Sequence, residues 1–249
     1  MFFVNCDRKV LLDLLPKGGK VAEVGVKRGK FARFISAWAK PEKLHLIDPW
    51  GKDESDEYVR AAGETAENTE GFFQAVATEF ADRIRAGSVV LHRDYLYEAV
   101  SNFPDGYFNW VYIDALHTYE PVLADLRAFD AKVKTDGFIL GHDFARSRKS
   151  TKHRYGVVEA VQTFLKEHPG YELILITNEA YPSFLIAKNP EGGMTRELLD
   201  RMFSSIDFVF YVDDLFAAGY RQDLQEFHAD GANRVRLVTA LTFSGPRSP

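Results

Sequence analysis

Apolar positions along the chain alternate between a spacing of three to four residues and short unbroken runs, and the changes mark the elements. Residues 7–15 read as a short helix with Val10, Leu11, Leu14 and Leu15 on one side, stopped by Pro16, Gly18 and Gly19. Residues 20–24 form a strand, 25–29 a loop, and 30–39 a helix through Phe31, Phe34, Ile35 and Trp38. A second strand is predicted over 44–48. Over 69–85, Phe72, Val76, Phe80 and Ile84 recur every four residues, which predicts a long helix. Strands follow at 89–92 and 108–114, the latter apolar enough to be buried on both faces. A short helix, 95–102, lies between them. A helix over 119–134 and a strand opening at 138–140 come next, then a helix over 156–167. The strands at 173–177 and 183–188 sit close enough in sequence to be an antiparallel pair.

The alternation predicts an α/β fold: a doubly wound, mostly parallel, seven-stranded sheet over residues 1–190, followed by a C-terminal extension, 191–249. The extension holds a helical stretch at 195–204 and strand candidates at 206–212 and 234–243. It reads equally as a cap over a substrate site or as an oligomer contact.

Composition narrows the function. Of 249 residues, 46 % are hydrophobic and 27 % charged, the balance of a globular chain. A single cysteine, Cys6, excludes internal disulfides and cysteine-metal clusters. The net charge of −5 argues against general nucleic-acid binding. No 18-residue apolar run is present, and the apolar start at Met1–Val4 is broken by Asp7, Arg8 and Lys9, too soon for a signal peptide core. The expected location is cytoplasmic, with no membrane partner.

Val21-Ala22-Glu23-Val24-Gly25-Val26-Lys27-Arg28-Gly29 joins a strand to a helix. Glycines let the backbone turn sharply against a ligand, and the following helix offers free N–H groups. Asp48 ends the next strand, 25 residues after Glu23, where a carboxylate can accept from ribose hydroxyls. The spacing is not the G-x-G-x-x-G of a dinucleotide dehydrogenase. Acidic-x-Gly-x-x-x-Gly, matched by Glu23, Gly25 and Gly29, resembles the first motif of the class I S-adenosylmethionine-dependent methyltransferases, and Asp48 matches their second-strand acidic residue. The resemblance covers residues 18–190. It implies a Rossmann-like fold, a glycine loop against the methionine moiety, Asp48 on the ribose, and Asp94 as an adenine contact within Arg93-Asp94-Tyr95.

Two further segments end in polar residues: Ile113-Asp114-Ala115-Leu116-His117-Thr118-Tyr119 and Gly137-Phe138-Ile139-Leu140-Gly141-His142-Asp143-Phe144. Ligands in open α/β sheets bind beyond the carboxyl ends of the strands. A carboxylate ending an apolar strand is costly unless paired, and a cation beside Asp114 and Asp143 would remove that cost. Oxygen ligands with an imidazole suit Mg²⁺ or Mn²⁺ better than Zn²⁺. Helix capping is the plainer alternative for both carboxylates. The two segments look like the branch that includes macrocin-type sugar O-methyltransferases and cephalosporin-hydroxylase-like proteins, with catechol O-methyltransferases as more distant relatives. That resemblance implies Asp114 and Asp143 as Mg²⁺ ligands, His142 as a ligand or partner, and His117 as the base. No third carboxylate ligand is identified.

A hydroxyl acceptor must be aligned with the donor methyl and lose its proton, so a metal, a base and a positioning cluster belong together. The expected function is S-adenosylmethionine-dependent, metal-assisted O-methyl transfer to a small molecule. The alternatives are a hydroxylase-like protein on the same metal shell and a non-catalytic nucleoside-binding module. Residues 146–154 hold Arg146, Arg148, Lys149, Lys152, His153 and Arg154, which read either as a clamp for an acidic substrate group or as a solvated loop. The acidic stretch 51–67 reads as a lid or a solvated loop. Trp50 reads as an adenosine platform or as packing.

Overall fold

The computed structural model describes residues 1–52, 65–228 and 235–243. Its core is a nine-stranded sheet. In chain order the strands are β1 (Phe2–Val4), β2 (Lys20–Val24), β3 (Lys43–Ile47), β4 (Val89–His92), β5 (Phe108–Ile113), β6 (Val133–Gly141), β7 (Glu172–Thr177), β8 (Phe184–Ala187) and β9 (Val209–Tyr211). The spatial order is β4-β3-β2-β5-β6-β8-β7-β1-β9. Neighbours from β4 to β6 run parallel. β8 is antiparallel to both β6 and β7, so the close spacing of the last two predicted strands does make an antiparallel pair.

The expected seven strands are thereby corrected to nine. Phe2–Val4 adds in parallel to β7 and takes β9 antiparallel on its other side. Three residues carry too little periodicity to be read as a strand. Their pairing partners lie more than 160 positions away, and tertiary pairing, not local pattern, makes them strands.

The helices are α1 (Arg8–Leu14), α2 (Lys30–Phe34), α3 (Ala66–Glu79), α4 (Ala81–Arg85), α5 (Leu96–Ala99), α6 (Tyr119–Asp130), α7 (Arg148–Lys152), α8 (Val157–Glu167) and α9 (Gly193–Ser205). Asp7 caps α1, accepting from the N–H groups of Lys9 and Val10. α2 runs into a π-helical turn, Ile35–Ala39. The long helix expected over 69–85 is split at Phe80 into α3 and α4. α6 stops at Asp130, short of the expected 134, because β6 already starts at Val133.

Alternation along β5 divides the core. Trp110 and Tyr112 face one layer with Leu11, Phe31 and Leu198, and Val111 and Ile113 face the other with Leu126, Phe129 and Phe164. Helices therefore cover both faces, and the carboxyl ends of the strands stay open for chemistry. Beyond α9 and β9, a two-stranded hairpin forms from β10 (Tyr220–His228) and β11 (Val235–Phe243). The acidic stretch's Asp53, Glu54, Asp56, Glu57 and Glu64 lie outside the described residues.

Candidate active site

The chain leaves β2 outward to β3 and β4, then returns to β5 on the other side of β2. The gap between the carboxyl ends of β2 and β5 is the switch point at which such sheets bind ligands. Gly25 stands there at φ +88°, its N–H donating to the Ile47 carbonyl at 2.9 Å. A Cβ at this position would lie 2.2 Å from the Asp114 carbonyl oxygen, so the first turn tolerates only glycine. Gly29, at φ +69°, is the N-cap of α2, and a Cβ there would meet Val76 at 2.8 Å.

Glu23 is 1 % exposed, and its Oε2 has no hydrogen-bond partner among the described residues. Burial pushes its carboxyl well above the ordinary range, Asp114 and Asp48 add to that, and Arg8 opposes it. Asp48 is buried as well, and burial raises its carboxyl against the pull of backbone donors. The N–H of Lys27 donates to its Oδ2 and that of Trp50 to its Oδ1, each at 2.8 Å. Asp48 thus ties the glycine loop to the end of β3. Trp50 is buried, its indole N–H donating to the Lys27 carbonyl at 2.8 Å and its ring against Phe73. Packing is therefore its role, and it offers no open face to an adenine. Asp94, two residues past β4, accepts from Lys52 at 2.8 Å.

The other side of the switch point holds a tight charged cluster. The Asp114 N–H donates to the Val24 carbonyl at 2.8 Å, and the His142 N–H to Ile113 at 3.0 Å, so parallel pairing sets both residues at one edge. One oxygen each from Asp114 and Asp143 and one nitrogen of His142 lie within 4.8 Å of one another. His142 Nδ1 is 3.3 Å from Asp143 and 3.5 Å from Asp114. Burial favours neutral His142, but Asp114 and Asp143 outweigh it and carry the imidazole up to about 9. Burial likewise raises Asp114, but His142 and Arg8 outweigh it and hold its carboxyl low. Asp143 sits at φ +59°, a left-handed conformation that favours glycine, and such strain concentrates at functional sites. His117 Nδ1 is 3.7 Å from Asp143 Oδ2, and its ring packs on Tyr155 at 4.1 Å.

The expected residues thus fall into two groups facing each other across Gly25: Glu23 and Asp48 on one side, Asp114, His117, His142 and Asp143 on the other, with Asp94 outermost beyond β4. Sequence reasoning missed Arg8, which donates to Asp114 at 2.8 Å while lying over the Phe31 ring. It also missed Glu179, which accepts from the Arg8 N–H at 3.0 Å and whose carboxyl is shaped by burial, then Thr177, His142 and Arg8. Neither sits in a local motif. The addition of β1 to β7 brings α1 to this edge, and the pairing of β7 with β8 and of β8 with β6 brings residue 179. An open cleft of about 590 Å³, lined by Lys43, Ile84, Arg85, Val89 and Leu91, lies instead along the outer edge of β4, away from these groups.

Residues 22–144 match a family model described as a methyltransferase domain, a span that begins inside β2, ends just past β6 and takes in the cofactor, metal and base candidates named from the sequence, though not the basic segment 146–154. A Galdieria sulphuraria protein proposed as a sarcosine dimethylglycine methyltransferase shares the fold: TM-score 0.51, 10 % identity, over 72 % of this chain and 82 % of that chain. A proposed methyltransferase from Streptococcus mutans, solved in complex with SAH, gives a TM-score of 0.47 and 12 % identity over 72 % of this chain and 94 % of that one. An rRNA methylase from Streptococcus thermophilus gives 0.48 and 9 % over 73 % and 93 %. No curated protein matches. Residues 22–144 are thus similar to a methyltransferase domain, and the chain has a Rossmann-like fold. Its enzyme class is that of the S-adenosylmethionine-dependent methyltransferases. Among the described residues, no helix is long and apolar enough to cross a membrane.

Proposed function

We propose that the protein transfers the methyl group of S-adenosylmethionine to a hydroxyl of a small molecule, with His117 as the base and a divalent cation held by Asp114, His142 and Asp143. The observation that carries this reading is the cluster itself: two carboxylates and an imidazole converge within 4.8 Å at the carboxyl edge, directly across Gly25 from an unpartnered buried Glu23 oxygen. An already nucleophilic amine would need neither a cation nor a strong base, so this cluster favours oxygen. The resemblance of these segments to the macrocin-type branch points the same way.

The residues fit both ligands. Buried and orphaned, Glu23 Oε2 suits the ammonium of a methionine moiety. Asp48 keeps lone pairs for ribose hydroxyls after accepting from Lys27 and Trp50. Oxygen donors with one imidazole suit Mg²⁺ or Mn²⁺, which would supply Lewis-acid stabilisation of the acceptor's developing alkoxide. His142 must release its proton to serve as a ligand, since Asp114 and Asp143 hold that proton firmly. In the chemical step His117 takes the hydroxyl proton. Asp143, 3.7 Å away, orients the His117 imidazole and stabilises the imidazolium that results.

Arg8 gives a second reading its footing. It already pairs with Asp114, and together with protonated His142 it balances both carboxylates without a metal. Titration with S-adenosylhomocysteine, then Mg²⁺, then EDTA separates the cases. The metal-assisted reading expects donor binding plus a Mg²⁺ heat that Asp143→Ala removes. Donor binding with no Mg²⁺ heat would assign charge balance to Arg8 and His142. Absence of donor binding would overturn the proposal.

A further inference from the structure

We propose that the exposed cations of residues 148–154 form an acceptor subsite for a phosphoryl group; this rests on the methyl-transfer reading of the neighbouring cluster. The segment is built, not loose. Arg146 is taken up by Glu159 at 2.7 Å, and its carbonyl accepts from the Gln222 N–H at 3.0 Å. Ser147 and Ser150 close a capping box over the start of α7. Arg154 follows at φ +57°, held by its N–H on Thr151 and by the Tyr155 N–H on Ser150. That turn returns the chain so that Tyr155 meets His117.

Arg148, Lys149, Lys152 and Arg154 are all exposed, and none has a carboxylate partner at ion-pair distance among the described residues. The chain's net charge is −5, with 36 acidic residues against 31 basic, so this basic segment runs against the overall sign of the charge. Clustered like charges repel, and a bound dianion relieves the repulsion. Arginine forks and lysine ammonium groups together are the usual donors to phosphate oxygens.

A continuous line of contacts joins this rim to the reacting cluster. Lys149 Nζ lies 5.9 Å above the Tyr181 ring, and Tyr181 packs on Tyr155 at 5.8 Å. Tyr155 packs on His117 at 4.1 Å, and His117 reaches Asp143 at 3.7 Å. An acceptor lying along Tyr181 and Tyr155 would present a hydroxyl at His117 and its phosphoryl group at Lys149.

The test uses the full chain and inorganic pyrophosphate as the probe, titrated after saturation with S-adenosylhomocysteine. Wild-type protein should bind pyrophosphate. Lys149→Glu should weaken that binding by about tenfold or more, the loss expected of one charge-assisted contact. Lys166→Glu changes the net charge equally at an exposed position on α8, and it should bind as wild type does. Unchanged S-adenosylhomocysteine affinity in both variants verifies folding. Three results overturn the subsite: no pyrophosphate heat from a protein that binds S-adenosylhomocysteine, equal weakening in both variants, or tighter binding of single-stranded RNA with a steep salt dependence. Loss of S-adenosylhomocysteine binding with pyrophosphate binding retained would instead remove the methyl-donor reading and leave an anion site.

Discussion

Gly25 carries the strictest demand on a single position. Its φ of +88° and the 2.2 Å approach of any Cβ to the Asp114 carbonyl act together, since one strains the backbone and the other blocks the space. Gly25→Ala should cost about 1–3 kcal/mol of stability and open the seam between β2 and β5. A lower thermal midpoint with loss of S-adenosylhomocysteine binding is the expected pair of results. Two histidines set opposite pH limits. On the outer half of the sheet, His45 Nδ1 meets His92 Nε2 at 2.9 Å, and His45 Nε2 meets the Tyr107 hydroxyl at 3.1 Å. Burial, then His92, depresses His45 to about 3. Its unfolded form binds a proton below about 6.5 and its folded form does not, so stability is full above that pH and falls with acid, by on the order of a few kcal/mol. His142 has the opposite sign: held up to about 9, it stabilises fully below about 6.5, and that contribution fades as pH rises through 9. Urea midpoints across pH should therefore peak near neutrality. His45→Gln should flatten the acid limb and His142→Gln the alkaline one.

At the scale of elements, legibility followed locality. β2 and β4 have the bounds that their apolar runs predict, and the glycine loop between β2 and α2 was readable because turn chemistry is local. β9 lies inside the strand candidate at 206–212, whereas β1 was not readable as a strand. Phe3 is 2 % exposed between β7 and β9, and its burial comes from partners that no window of sequence contains. Arg8 was hidden for the same reason: α1 follows β1 directly, so only the added strand brings its guanidinium to Asp114. This makes β1 more than an edge ornament. Phe3→Ala should cost about 3–5 kcal/mol, as for other buried aromatic truncations. It should also loosen the Arg8–Asp114 pair, so the midpoint of denaturation and any Mg²⁺ heat should change together. A drop in stability with an unaltered Mg²⁺ response would show that the cluster is held without help from the N-terminal strand.

Across the whole molecule, the sheet's switch point, where β2 pairs with β5, separates the candidate residues into two groups. Glu23, Asp48 and Asp94 extend from β2 to β4, and Asp114, His142 and Asp143 extend from β5 to β6. The contact between them is backbone on backbone, Gly25 against Asp114, with the Asp114 N–H on the Val24 carbonyl. Side-chain charges nonetheless cross it, since Asp114 raises Glu23 and Arg8 lowers it. Backbone contact transmits little when a side chain on one half is changed, whereas Coulomb coupling through a buried region transmits some. Donor binding and metal binding should therefore be separable to first order and linked weakly. Asp48→Asn keeps the size of the side chain and removes its charge, so S-adenosylhomocysteine affinity should fall about ten- to a hundredfold while the Mg²⁺ response persists. Asp143→Ala should do the reverse. In wild type each ligand should alter the other's affinity by the same factor, because linkage is reciprocal. Calorimetric titrations in both orders measure that factor. A factor of one would place Asp114's influence on Glu23 below any functional consequence. A large factor would make the seam itself, through Asp114, the route by which the loaded donor half prepares the acceptor half for its metal.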